Sequence, residues 1–210
     1  MKFKHSLLFD RYPQLAPLKG EITQVIQVLE KSFTAGGKLL VMGNGGSSAD
    51  AEHFCGELMK GFILPRPLRP NELALFKECK HLDGSILQGA LPAMSLGVGH
   101  SLISAFSNDQ DPQYIFAQQI WGLGNEDDVV FGISTSGNSK NVVLGLEAAK
   151  AKNIPTIALT GKQGGICSEI ADITIKVPEE ETFKAQELHL PIYHAICIEL
   201  EFLFFDSGLK

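Results

Sequence analysis

The chain has 210 residues, of which 44% are hydrophobic and 20% are charged. This composition is typical of a folded protein, so it excludes extended disorder, a coiled coil and a collagen-like repeat. The net charge is -6 at pH 7, from 18 Lys and Arg against 24 Asp and Glu. Because binding to duplex phosphates needs an excess of basic residues, we expect no direct binding to nucleic acid.

Four cysteines are spread along the chain without a C-x-x-C pair: Cys55, Cys79, Cys167 and Cys197. This spacing favours neither a disulfide framework nor a thiolate zinc site, and free thiols suit a reducing cytoplasm. The N-terminus has no signal-peptide core, and no uninterrupted apolar run approaches about 18 residues. The sequence therefore predicts a cytoplasmic protein without a membrane span.

Short apolar runs alternate with helical patterns along the chain, and each run leads into Gly, Ser or Thr. Continuous hydrophobicity predicts parallel strands that are covered on both faces, with helices as the crossovers. The sequence therefore predicts the α/β class. The predicted strands are 39–42, 92–96, 129–133, 156–159 and 173–177, and the predicted helices are about 22–34, 47–60, 113–123, 138–152 and 183–205.

Length predicts a single domain over residues 1–210, with an N-terminal helical segment at about 1–36. Residues 62–91 interrupt the alternation with three prolines and a charged stretch. We expect an extended insert with a short helix, because so long an irregular segment is either functional or mobile.

A first glycine-rich loop follows the strand predicted at 39–42. It reads Gly43-Asn44-Gly45-Gly46-Ser47 and leads into a predicted helix. Glycines allow a tight turn, and the first amides of the helix then point at whatever lies in front of them, which favours an anion. A dinucleotide-binding fingerprint would need glycine at Ser48. A plain tight turn remains the alternative.

A second loop, rich in hydroxyl groups, follows the strand predicted at 129–133. Four hydroxyls at a helix N-terminus can bind phosphate oxygens together with the helix dipole. N-capping explains one such residue but not four, so we predict a phosphate site. Two loops at the carboxyl ends of parallel strands then predict a phosphorylated small molecule, with its phosphate at one loop and its polyol end at the other. The second loop consists of Ser134, Thr135, Ser136, Gly137, Asn138 and Ser139.

His53 and Glu57 lie four residues apart in the helix predicted after the first loop. The spacing puts both side chains on one helix face, one to two turns beyond the loop, and suits a joint metal site or an acid/base pair. A solvated helix face is the alternative.

The C-terminal helix carries polar side chains in an otherwise apolar run. Gln186 and His194 need partners there, since burying an unpaired polar group is costly. They are about 12 Å apart along a helix, so one metal ion could bind both only if they reach toward each other or come from different subunits. We expect Pro191 to bend the helix and His189 to lie at the surface.

At these residues the chain resembles the sugar isomerase (SIS) domain family, most closely the phosphoheptose isomerases, which convert sedoheptulose 7-phosphate into an aldoheptose 7-phosphate. The resemblance covers about residues 20–205. It implies a three-layer α/β/α sandwich with a central parallel five-stranded sheet of flavodoxin-like type, a homotetramer with active sites at subunit contacts, and often a zinc ion. The matching motifs are 43–47, Ala51, His53-Phe54, Glu57-Leu58, 132–139, 159–162, 164–165, 186–189 and His194.

Carried over by position, the resemblance implies that Glu57 is the base and His194 the acid of an isomerisation through an enediol. Zinc would polarise the carbonyl as a Lewis acid. The implied metal ligands are His53, Glu57, Gln186 and His194. The implied phosphate loop is Ser134, Thr135, Ser136 and Ser139, and the other expected substrate contacts are Asn44, Gly45, Gly46, Ser47 and Gln186.

The chain departs from the family pattern at three positions near the expected substrate. Gly61 stands where the family usually has Arg, and Phe183 and Gly99 stand where Asp is common. The insert at 62–91 is also longer than usual. These departures leave the identity of the sugar phosphate open.

The alternative is a non-catalytic phosphosugar-binding or adaptor protein, similar to the SIS homologue that associates with the bacterial replication initiator. That relative lacks the acidic helix residue and the last histidine. Because this chain keeps both Glu57 and His194, the sequence favours an isomerase.

Overall fold

The computed structural model describes residues 7–206, so the predicted segment 1–36 lies partly outside the described residues. The strands are β1 (Leu39–Gly43), β2 (Ala93–Ser95), β3 (Val129–Ser134), β4 (Thr156–Thr160) and β5 (Ile173–Lys176). They form one parallel sheet in the order β2-β1-β3-β4-β5. The prediction of five parallel strands is confirmed, and the strand order is the flavodoxin-like one.

Helices cover both faces of the sheet. The α-helices are α1 (Leu8–Arg11), α2 (Lys19–Ala35), α3 (Gly46–Met59), α4 (Pro70–Leu73), α5 (His100–Asp109), α6 (Ile115–Leu123), α7 (Lys140–Ala151), α8 (Cys167–Ile170) and α9 (Thr182–Phe205). Helices α2, α3 and α9 pack in one core cluster, and α6 and α7 pack in the other. The expected three-layer sandwich is therefore confirmed.

The side chains of β1 show how the two clusters are built. Leu39 and Val41 point into the cluster under α2, α3 and α9, whereas Leu40 and Met42 point into the cluster under α6 and α7. Every residue of β1, β3 and β4 is buried. Burial on both faces explains why these strands read as continuous apolar runs.

Helix α9 is the longest element and lies against α3 and α2. It continues through Pro191. By length and composition alone it could cross a membrane, with a mean hydropathy of 1.4, but 61% of its apolar window is buried inside the protein. That burial is typical of a core helix. The expectation that His189 lies at the surface is wrong, because its side chain is 0% exposed.

The segment between α3 and β2 contains α4 and two 3-10 helices, Ala74–Phe76 and Gly84–Ile86. Its two ends are tied together by the N–H of Gly89, which donates to the carbonyl oxygen of Arg66 at 2.7 Å. This hydrogen bond therefore fixes the position at which the segment returns to the core, beside the position at which it leaves.

Helix α5 was not predicted from the sequence. It follows Gly97 and Gly99, which both have φ at 94°, and none of its residues is buried. Its Ile103 and Phe106 pack, only partly buried, against the cluster under α6 and α7. No element was predicted from the sequence between the strand at 92–96 and the helix at 113–123.

Candidate active site

The two predicted loops lie side by side at one edge of the sheet. Strands β1 and β3 are neighbours, with Gly43 in register with Ile133, and each strand ends in one of the loops. Because β2 and β3 flank β1 on opposite sides, the chain reverses direction across the sheet here. Open α/β sheets bind ligands at this type of position.

The first loop is tightly turned and contacts α9. Gly45 has φ at 54°, and a Cβ on Gly46 would lie 2.5 Å from Nε2 of Gln186. Gln186 is therefore packed against this loop. The N–H groups of Ser47 and Ser48 already donate to the carbonyl oxygens of Asn44 and Gly45, both at 3.0 Å, so they are not free for an anion.

The second loop keeps its hydroxyls around the N-terminus of α7. Ser134 and Ser139 are joined by a 2.9 Å hydrogen bond between their Oγ atoms. Ser136 is exposed, and its Oγ accepts the N–H of Asn138 at 3.1 Å. Thr135 is half-buried between them. This arrangement presents hydroxyl groups to a ligand at the positive end of a helix dipole.

The segment 161–167 supports the second loop from behind. Asn138 accepts the N–H of Ile166 through its Oδ1 at 3.0 Å, and Gly137 accepts the N–H of Cys167 at 2.9 Å. A Cβ on Gly137 would come within 1.9 Å of the carbonyl oxygen of Gly164. The glycines of this matching motif therefore allow two backbones to touch.

His53, Glu57 and His194 form a cluster between α3 and α9. Nε2 of His53 lies 3.2 Å from Oε1 of Glu57 and 3.4 Å from Nε2 of His194. The two imidazole rings are edge to face, with centroids 4.9 Å apart. The structure thus brings together three of the four sequence-predicted metal ligands. The fourth, Gln186, lies at the first loop, two turns before His194 on α9.

The electrostatics of the cluster favour a neutral His194. Burial is the main cause that lowers the pKa of His194; a proton on the neighbouring ring of His53 acts in the same direction, and Glu57 acts in the opposite one. Phe62 packs on the ring of His194 with centroids 5.2 Å apart. A neutral imidazole near neutral pH can both accept and donate a proton.

Lys60 supplies a cation next to the cluster. Its Nζ lies 2.5 Å from Oε2 of Glu57 and 5.8 Å from the ring centroid of Phe62. The neighbouring Gly61, where the family usually has Arg, donates its N–H to Oε1 of Gln88 at 2.8 Å. Lys60, one residue earlier, therefore places a positive charge beside Glu57. The other two departures lie at exposed positions, Phe183 and Gly99.

A buried ion pair that sequence reasoning missed holds the end of α3. Arg66 and Glu201 are both 0% exposed, and Nε of Arg66 donates to Oε1 of Glu201 at 2.7 Å. The guanidinium also donates to the carbonyl oxygens of Leu58, at 2.7 Å, and Glu57, at 3.1 Å. Arg66 therefore caps α3 at the turn that carries Glu57.

Glu201, on α9, extends this hydrogen-bond network to the segment that follows α3. Its carboxylate accepts the N–H groups of Phe62 and Ile63 at 2.8 Å and of Leu64 at 3.0 Å. Burial alone would raise the pKa of Glu201, but these backbone hydrogen bonds and Arg66 outweigh it and lower the pKa. The sequence signal was the presence of two acidic residues, Glu199 and Glu201, within the apolar run of the last helix.

Within residues 7–206, no group of three or more His, Cys, Asp or Glu side chains is arranged to hold a metal ion as it stands. In the cluster, Lys60 already occupies one oxygen of Glu57. All four cysteines lie in the described part of the chain, and each is a free thiol.

Comparison with known proteins identifies the family. Residues 13–91 and 101–199 match the SIS domain. The phosphoheptose isomerase of Akkermansia muciniphila is 35% identical over 188 residues, 90% of this chain and 88% of that protein. The one of Citrifermentans bemidjiense is 39% identical over 198 residues, 92% of each chain. The solved phosphoheptose isomerase of Neisseria gonorrhoeae has a TM-score of 0.74 and 30% identity, over 91% of this chain and 90% of that one. The chain therefore belongs to the SIS domain family and, within it, to the phosphoheptose isomerases.

Proposed function

We propose that the protein is a phosphosugar aldose–ketose isomerase that acts on sedoheptulose 7-phosphate. The observation that carries the proposal is the contact of His53 with Glu57, at 3.2 Å, and with His194, at 3.4 Å. The helix that carries His53 and Glu57 follows directly on the first loop. Family membership adds independent support, because the relatives that match nearly the whole chain are phosphoheptose isomerases.

In this mechanism Glu57 is the base. It takes a proton from C1 of the ketose and returns it to C2, so that the carbonyl moves from C2 to C1 through an enediol. The ammonium group of Lys60 forms an ion pair with this carboxylate. His194, kept neutral by burial, moves a proton between O1 and O2.

The phosphate group has its own site in the proposal. Ser134, Thr135, Ser136 and Ser139 bind the ester phosphate, with the dipole of α7 behind them. The polyol chain then runs past the first loop, where Asn44, Gly45, Gly46 and Ser47 lie beside Gln186. Binding both ends of the substrate fixes the reacting carbons against Glu57 and His194.

Zinc is proposed as the metal because the donor types fit. Nε2 of His53 lies 3.2 Å from a carboxylate oxygen of Glu57 and 3.4 Å from Nε2 of His194. Adjacent ligands of a tetrahedral zinc ion with bonds of about 2.0–2.1 Å are themselves about 3.3 Å apart. His53, Glu57 and His194 would hold the ion, with Gln186 as the fourth family ligand. When bound, zinc supplies Lewis-acid polarisation of the substrate carbonyl.

A homotetramer in the cytoplasm completes the proposal. Four free thiols suit a reducing compartment. Helix α5 buries none of its residues, and Leu102 on it is 46% exposed, as expected of a surface that another copy covers. Light scattering on the purified protein measures the assembly, and a monomer at micromolar concentration would contradict it.

The test of the function is a turnover assay with sedoheptulose 7-phosphate on metal-free and zinc-loaded protein. We expect the aldoheptose 7-phosphate as product, and a panel of other ketose phosphates defines specificity. Absence of turnover in both forms, beside an active phosphoheptose isomerase, would reject the proposal. Stoichiometric recovery of a replication initiator by the inactive protein would support the adaptor function instead.

A further inference from the structure

The hydroxyl of Tyr193 is buried between Asp50 and His53. Tyr193 is 1% exposed, and its ring stacks on Phe54 with centroids 5.6 Å apart and planes at 23°. Its Oη lies 3.2 Å from Oδ1 of Asp50 and 3.1 Å from Nδ1 of His53. The hydroxyl therefore links a carboxylate on α3 to the histidine one turn further along that helix.

The chemistry of these three groups assigns the protons. A carboxylate only accepts, so the Tyr193 hydroxyl donates its single proton to Asp50. The remaining lone pairs of Tyr193 then accept, and the donor facing them is Nδ1–H of His53. His53 is thereby held in the form that carries its proton on Nδ1.

Tyr193 is the hydrogen-bond partner of Asp50 in this arrangement. The second oxygen of Asp50, Oδ2, is buried and makes no hydrogen bond within residues 7–206. An unpaired buried polar atom is costly, so the hydrogen bond from Tyr193 to Oδ1 holds a carboxylate that is otherwise poorly paired.

With Nδ1 protonated, the other nitrogen of His53 points a lone pair into the cluster. Nε2 faces Oε1 of Glu57 at 3.2 Å and Nε2 of His194 at 3.4 Å. At these distances the lone pair of His53 Nε2 is repelled by the neighbouring acceptors unless the N–H of a neutral His194 or a cation lies among them. The arrangement therefore suits a proton in the empty site and a metal ion in the loaded one.

We propose that Tyr193, anchored by Asp50, is a positioning residue that fixes His53 with its proton on Nδ1 and so reserves Nε2 for a divalent metal ion shared with Glu57 and His194. This inference rests on the zinc ion of the proposed function. Histidine ligands generally donate their second N–H to an outer partner, and removing that partner typically weakens metal binding 10–100-fold. In this chain a tyrosine–aspartate pair is that partner.

The experiment measures zinc alone, without substrate. Zinc Kd values are obtained by competition with a chelating dye for the wild type, Tyr193→Phe and Tyr114→Phe. Tyr193→Phe keeps the ring on Phe54 and removes only the hydroxyl, so we expect its zinc Kd to rise about tenfold or more. Tyr114→Phe removes a half-exposed hydroxyl far from the cluster, and we expect the wild-type Kd.

A spectrum of the zinc-loaded wild type gives a second measurement that needs no foldable variant. With ¹⁵N-labelled histidine, we expect the His53 ring to carry its proton on Nδ1 and to bind zinc through Nε2; signals are assigned by their loss in His53→Asn. The inference is overturned if Nε2 carries the proton, if Tyr193→Phe binds zinc like the wild type, or if the wild type binds no zinc. A protein that passes these tests but does not isomerise sedoheptulose 7-phosphate would retract the proposed reaction alone.

Discussion

Asn44 and Asn141 exchange two hydrogen bonds between their side-chain amides, each 2.8 Å long. Asn44 belongs to the first loop, and Asn141 is the second residue of α7, just after the hydroxyl-rich loop. Oδ1 of Asn141 also accepts its neighbour's N–H, from Val142, at 3.0 Å. The pair sets the distance between the two loops that are proposed to hold the two ends of the substrate.

Replacing Asn141 by Leu removes both amide contacts at similar volume. Each hydrogen bond contributes about 0.5–1.5 kcal/mol, so we expect KM for the sugar phosphate to rise about tenfold, with a smaller effect on kcat. Steady-state kinetics and a thermal melt check this. Asn71→Ala, at an exposed asparagine of α4, is the matched control, and an unchanged KM in Asn141→Leu would show that the amide pair does not set the site.

Gly137→Ala tests the contact between the phosphate loop and the segment behind it. Gly137 has φ at 66°, and its Cβ would meet the carbonyl oxygen of Gly164 at 1.9 Å. The conformation alone costs about 1–2 kcal/mol for alanine, and the clash adds to it, so we expect a lower free energy of unfolding and loss of phosphate binding. Urea unfolding and titration with inorganic phosphate measure the two effects.

Gly20→Ala is the control for that substitution, since a Cβ there meets nothing within 4 Å. We expect it to be neutral or slightly stabilising, because alanine is the better helix former. If both variants keep wild-type stability, the close approach of the two backbones is not a constraint.

The sequence predicts best those parts of the fold that are buried on both sides. Strands β1, β3 and β4 are fully buried, and their continuous apolar runs were recognised. Helix α5 was not, because it is a short helix whose apolar residues Ile103 and Phe106 are only partly buried against the core. Strand β2 is shorter than predicted, since it lies at the sheet edge and pairs over three residues only.

For the site, local spacing revealed His53 and Glu57, four residues apart on one helix. The partners of these residues come from distant parts of the chain. Tyr193 reaches His53 across 140 positions, and Arg66 reaches Glu201 across 135. No periodicity links residues so far apart, so neither partner could be found from the sequence pattern. His189 was misplaced for a related reason: its burial depends on packing between α9 and the sheet.

Glu57→Gln separates catalysis from binding. The substitution keeps the shape of the side chain but removes the proposed base, and general-base catalysis contributes about 10²–10⁴-fold. We therefore expect kcat to fall by at least that range, with the affinity for the sugar phosphate nearly unchanged. Product formation followed by NMR, together with calorimetric titration, gives both values.

Two further variants complete that experiment. Glu52→Gln changes an exposed glutamate on the same helix and should keep full activity. Ser136→Ala removes an exposed hydroxyl of the second loop and should raise KM several-fold, with kcat largely retained. Wild-type turnover in Glu57→Gln would show that another group takes the proton.

Arg66→Met tests the buried ion pair between Arg66 and Glu201, which lies at the end of α3 that carries Glu57. Removing one partner of a buried ion pair leaves the other charge uncompensated and costs about 3–5 kcal/mol. We expect that loss in the free energy of unfolding from urea titration, and a smaller loss for Glu201→Gln. In the double variant no charge is left unpaired, so part of the stability should return.

Lys184→Ala is the control at an exposed ion pair. It breaks the pair with Glu181 and should lower the free energy of unfolding by about 1 kcal/mol or less. Strictly additive losses at Arg66 and Glu201 would argue against a coupled pair.

His189 gives the protein a specific sensitivity to acid. Its side chain is 0% exposed, and neither ring nitrogen makes a hydrogen bond within the described chain. Burial lowers the pKa of His189 from 6.5 to about 4, although the nearby carbonyl of Thr160 acts in the opposite direction. Between these two values the unfolded chain binds a proton that the folded protein excludes. Stability from this residue is therefore complete above about pH 6.5 and falls as the pH drops toward 4.

The expected loss is at most about 1.4 kcal/mol per pH unit, or about 3 kcal/mol over the whole window. His189→Leu removes the ionisable ring and fills the same apolar space, so at pH 7.5 its stability should be similar to the wild type or higher. Urea unfolding of both proteins at several pH values from 7.5 to 4.5 measures the difference between their free energies of unfolding. The carboxylates are the same in both proteins, so their contribution cancels in this difference. We expect the advantage of His189→Leu to grow steadily as the pH falls through that range. Parallel stability curves for the two proteins would mean that the buried ring accepts a proton in the folded state as easily as in the unfolded one.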